Sequence, residues 1–120
     1  METGINSEFV TYELCVKLKA LGFDEPCMGY RTEKGNTLSF KMKITNSKLD
    51  KEAAKWRATY KGVLRNRVAA PLWQQAFRWF KELGYDVEPY LIDPKPWLEN
   101  QIESEFDNRE MRKLMKGDNF

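Results

Sequence analysis

Leu38-Ser39-Phe40-Lys41-Met42-Lys43-Ile44 is the stretch that decides the fold. Leu38, Phe40, Met42 and Ile44 alternate with Ser39, Lys41 and Lys43, and Thr45 follows. Successive side chains of an extended chain point to opposite faces, so this spacing predicts a strand. One face is apolar and expected in the core; the other is wet and carries two lysines. Upstream, Glu33-Lys34-Gly35-Asn36 supplies turn chemistry, and Cys27-Met28-Gly29-Tyr30-Arg31-Thr32 reads as a shorter strand. The two are expected to pair as a β-hairpin.

Helical periodicity takes over on either side. Leu14, Leu18 and Leu21 recur at i, i+4 and i+7, with Thr11 as a possible N-cap and Gly22 where a C-terminal glycine belongs. This predicts a helix over 11–21. After the hairpin, Asn46 or Ser47 can cap a second helix, whose stripe is Leu49, Ala53, Trp56 and Tyr60. Gly62 is expected to end or weaken it. Pro71 suits the first turn of a third helix. That helix has a broad apolar face of Leu72, Trp73, Ala76, Phe77, Phe80 and Leu83, and Gly84 closes it. Tyr85 to Ile92 is β-like, and Pro89 assigns it to a sheet edge. A last helix begins near Pro96 and carries Leu98, Ile102 and Phe106.

The expected fold is α+β, in the order α-β-β-α-α-β-α. Helices cover one face of a small, mostly antiparallel sheet made of the hairpin and one edge strand. Residues 1–120 read as a single domain, with a loose N-terminus over 1–8 and a frayed end over 117–120.

Composition narrows the function classes. The chain has 120 residues, of which 42% are apolar and 32% charged, enough apolar material for a core. No apolar run has the length of a membrane span, and the first 25 residues carry no apolar stretch of the secretory type. The expected setting is the cytoplasm. Histidine is absent, which removes the commonest acid–base group near neutral pH and the usual base for a cysteine nucleophile. Cys15 and Cys27 are too few for a metal motif and are expected to be buried free thiols. The carboxylate pairs Asp24/Glu25, Asp86/Glu88 and Glu99/Glu103 have nothing in the sequence that would raise one member's pKa. No catalytic residue, cofactor or metal is expected.

Charge is distributed unevenly. Residues 1–33 hold six acids and three bases, a net of −3, and residues 68–120 hold ten acids and seven bases, again −3. Between them, ten bases face two acids, a net of +8. Lys41 and Lys43 share the wet face of the strand. Lys48, Lys51, Lys55, Arg57, Lys61, Arg65 and Arg67 follow on and after the second helix. Such a surface attracts phosphates through charge and counterion release. A solvated face that balances the acidic flanks would carry the same charges. Trp79, beside Arg78, lies off the main stripe of the third helix and could be an exposed interaction anchor or a partial core residue.

Two segments resemble a family of small uncharacterised proteins of phages and mobile elements from Bacteroidetes. One is Val10-Thr11-Tyr12-Glu13, continuing through Leu18-Lys19-Ala20-Leu21-Gly22-Phe23 to Pro26. The other is Ala70-Pro71, followed by Ala76-Phe77-Arg78-Trp79. The resemblance implies a small α+β domain of phage or mobile-element origin, and it implies no activity. Residues and resemblance together predict an accessory or regulatory protein that acts by binding. Nucleic acid is the expected partner; an acidic protein partner is the alternative.

Overall fold

The computed structural model describes residues 7–33, 37–60, 66–87 and 94–117, with the side chains of all of these except 57–60, 94 and 114–117. Its elements are α1 (Tyr12–Ala20), β1 (Cys27–Thr32), β2 (Thr37–Ile44), α2 (Asn46–Tyr60), β3 (Arg67–Ala69), α3 (Trp73–Glu82) and α4 (Pro94–Gly117). The class is α+β, with four helices about a three-stranded antiparallel sheet of order β2-β1-β3 among the described residues.

The third strand is not where periodicity put it. It is the short run Arg67–Ala69 ahead of α3, which makes the described order α-β-β-α-β-α-α. Tyr85 to Val87 form no strand, and the rest of the expected strand falls in 88–93, outside the described residues. Three residues are too few to show an alternation. The backbone identifies them: Tyr30, Arg31 and Thr32 face Ala69, Val68 and Arg67, and the Ala70 N–H continues to the Gly29 carbonyl at 2.9 Å.

The pairing also fixes the faces. Arg31, Leu38 and Val68 stand abreast on one side of the sheet, and Tyr30, Ser39 and Ala69 on the other. The first side meets the segment Phe9–Val10, and α1 packs against β1 and β3. α1 and α3 in turn pack on α4, which buries Leu98 and Ile102 completely. α2 lies against β3, and its Glu52 takes Arg67, whose side chain shares the sheet side of Tyr30 and Ala69. Lys17 of α1 reaches Glu103 of α4 at 2.5 Å, and Lys19 reaches Asp50 of α2 at 2.6 Å.

α1 and α3 end in the same way. Gly22 and Gly84 follow their helices with φ of 103° and 101°. The Phe23 N–H then bonds back to the Leu18 carbonyl at 3.0 Å, and the Tyr85 N–H to the Phe80 carbonyl at 3.2 Å. This closure satisfies carbonyls that the helix leaves free and needs a left-handed residue, hence glycine. At the other end, Thr11 occupies the N-cap of α1 but its hydroxyl makes no capping bond.

α2 begins differently from expectation. Its cap is Thr45, whose hydroxyl accepts from the Lys48 N–H at 3.1 Å. Asn46 is instead a buried brace. Its Nδ2 donates to the Phe23 carbonyl at 2.9 Å, and its Oδ1 accepts from the Ala69 N–H at 2.9 Å. The Asp24 carboxylate accepts from both the backbone N–H and the hydroxyl of Ser47. These bonds, the hydroxyl's foremost, hold the Asp24 carboxyl below its ordinary pKa.

Candidate nucleic-acid interface

β2 leaves the sheet's regular ladder halfway along. Gly29 faces Phe40, but Cys27 faces Ile44, so a four-residue step on β2 spans a two-residue step on β1. Lys43, within that step, adopts φ of 58°. The irregularity takes Lys41–Lys43 out of the ladder at the open edge of the sheet. Of the four apolar residues expected in the core, only Ile44 is buried. Leu38 is half-buried, Phe40 is 59% exposed and Met42 is 79% exposed. Phe40 keeps one edge-on contact, to Phe9 at 5.8 Å between ring centres. The strand was legible from its alternation, but the cover over its apolar face was not.

The basic residues converge on the first half of α2. Glu52 takes Lys41 of β2 on one oxygen at 2.8 Å and Arg67 of β3 on the other at 3.2 Å. Lys48 donates to the Lys43 carbonyl at 3.0 Å. Arg67 also lies over the Tyr30 ring, 5.5 Å from its centre. The hairpin and the helix therefore present their bases on adjoining ground. The hydrogen bond from Lys41 is the main reason that the Glu52 carboxyl sits below its ordinary pKa; the charges of Lys41 and Arg67 add to it, and burial opposes. Asp50, the other acid of this stretch, is drawn to Lys19. Neither acid reaches Lys43, Lys48 or Lys51, all exposed. Lys55 is exposed one turn further along α2. The side chain of Arg57, and Lys61 and Arg65 entirely, lie outside the described residues.

Burial falls away along α2. Leu49 is buried, Ala53 half-buried and Trp56 39% exposed. The helix is docked at its start by Asn46 and Leu49.

Trp79 takes the partial-core alternative left open by its place off the main stripe of α3. Trp79 is half-buried and packs edge-on to Phe23 at 5.4 Å and to Phe80 at 5.1 Å. These contacts hold the ring at the margin of the core. Arg78 beside it is exposed. Arg31, the base on β1, is fully buried and donates to the Val10 and Phe9 carbonyls at 2.7 and 3.2 Å.

Glu52 was the site residue hardest to see. It is one of two acids among ten bases, and that isolation was its only signal in the sequence. Cys15 and Cys27 are buried free thiols. Burial raises both thiol pKa values, that of Cys27 to about 12. Among the described residues, no group of three or more His, Cys, Asp or Glu could hold a metal ion, and no helix is long and apolar enough to cross a membrane. Comparison of the chain with protein-family models, curated proteins and solved structures gave no match.

Proposed function

We propose that this protein is a small accessory or regulatory factor that acts by binding rather than catalysis, with nucleic acid as its partner. The observation that carries the reading is the convergence of Lys41, Lys43, Lys48 and Arg67 on the start of α2, with Lys51 and Lys55 exposed beyond them. Glu52 contacts Lys41 and Arg67 with a single negative charge, and Lys43, Lys48 and Lys51 stay exposed. Cations so placed position a protein on phosphates without reading bases, so selectivity for sequence is low. An origin in a phage or mobile element belongs to the same proposal. It rests on the resemblance of the Val10–Pro26 and Ala70–Trp79 segments, and it implies the cytoplasm of a bacterial host.

Fluorescence anisotropy against random-sequence oligonucleotides tests the reading. Binding is expected to weaken steeply with salt, with roughly one unit of slope per phosphate contacted. The double variant Lys51→Glu, Lys55→Glu should abolish it. Absence of binding at low ionic strength would overturn the proposal and leave an acidic protein as the partner to seek.

A further inference from the structure

We infer that the β2 edge selects single-stranded over double-stranded nucleic acid, by stacking bases on Phe40 and packing them against Met42. The inference rests on the phosphate-binding reading above and names the substrate class for that surface.

Phe40 and Met42 are the two most exposed apolar side chains of the sheet, at 59% and 79%. They alternate with Lys41 and Lys43 on the same strand. Apolar groups kept in water beside cations fit a ligand that is itself part anion and part flat apolar surface. A single strand offers both, because its phosphates are charged and its bases have free faces. A duplex offers only the phosphates, since its bases are stacked inside.

The backbone argues against the other occupant of an open sheet edge, an added β-strand. Strand addition needs a regular row of free N–H and C=O groups. Here the ladder goes irregular after Phe40, Lys43 takes φ of 58°, and lysines occupy the edge. Bulges and edge lysines are the devices by which sheets refuse a further strand. A second copy of the chain would also set its own Lys41 and Lys43 against these. The edge is therefore suited to side-chain contact. Phe40 shares the sheet side of Arg31, whereas Lys41 reaches Glu52 on the side of α2. A strand draped over the edge can lay bases on the first side and phosphates towards the second.

The test compares a labelled oligothymidine with a duplex of equal length at low ionic strength, using the full chain. The unmodified protein should favour the single strand. Phe40→Ala with Met42→Ala should weaken single-strand binding roughly tenfold and leave duplex binding unchanged. Phe40→Trp should retain it. Met42 is almost fully exposed and Phe40 keeps one contact, to Phe9, so the thermal midpoint should fall only slightly, and a melt of each variant separates lost contact from lost fold. Equal affinity for both forms, or a double variant that binds the single strand as before, overturns this inference and leaves the phosphate surface standing. No binding to either form overturns both.

Discussion

Arg31 of β1 and Val10, the residue that leads into α1, are joined by a 2.7 Å hydrogen bond from the guanidinium Nε to the backbone carbonyl, in a place without solvent. A second bond from the same fork goes to the Phe9 carbonyl at 3.2 Å. Val10 in turn donates its N–H to the Pro71 carbonyl at 2.9 Å. One cationic side chain thus fastens the N-terminal segment to the sheet. Replacement by an apolar residue of similar length strands the Phe9 carbonyl and leaves that of Val10 only the weak Cys15 thiol donor, 3.4 Å away. Arg31→Met is expected to cost about 2–3 kcal/mol, a fall of roughly 10 °C in the midpoint of a thermal melt. A midpoint within a degree or two of the parent would show that Arg31 is not the fastening.

Glu52 predicts a gain rather than a loss. Its carboxylate occupies Lys41 and Arg67, two bases that could otherwise face phosphate. Glu52→Gln frees both and removes one negative charge from the surface. Affinity for oligonucleotides should rise, and the salt dependence should steepen by roughly one unit. Weaker binding by the variant would mean that Glu52 orders the bases instead of competing for them.

The acid limb of the stability curve follows from Asp24 and Glu52. The folded state holds both carboxyls below their ordinary pKa values. Each therefore adds stability above its unfolded pKa, near 4. That stability is lost as pH falls through the lower folded value. Asp24→Asn should reduce the midpoint at pH 7 and flatten its decline in acid, because part of the titrating contribution is already gone. Urea melts from pH 7 to pH 2.5 would show it. Parallel curves for the parent and the variant would exclude Asp24 as a source of the acid sensitivity.

The parts of the fold that were legible are those with a period. α1 and α3 showed a 3.6-residue stripe ended by glycine, and Gly22 and Gly84 do close them. The hairpin showed its alternation. β3 was hidden because three residues carry no period and its partner strand lies far away in the chain. The exposure of Phe40, Met42 and Trp56 was hidden for another reason. Periodicity tells which residues share a face, and only the assembled fold tells whether anything covers that face. The open edge of β2 is such a place, and the candidate interface is built there and on the first half of α2.

Asn46 has a consequence for the order in which the chain folds. It bonds to Phe23 and to Ala69, each 23 residues away. Each bond needs its own loop to close, and the closure costs chain entropy that the bond alone does not return. The brace is therefore set late, after the hairpin and α1, which depend on nearer contacts. Asn46→Ala should speed unfolding and leave the refolding rate almost unchanged, giving a fractional transition-state effect near zero. The residue acts as a latch on the finished structure: it governs how long the fold lasts and has little influence on how quickly it is reached.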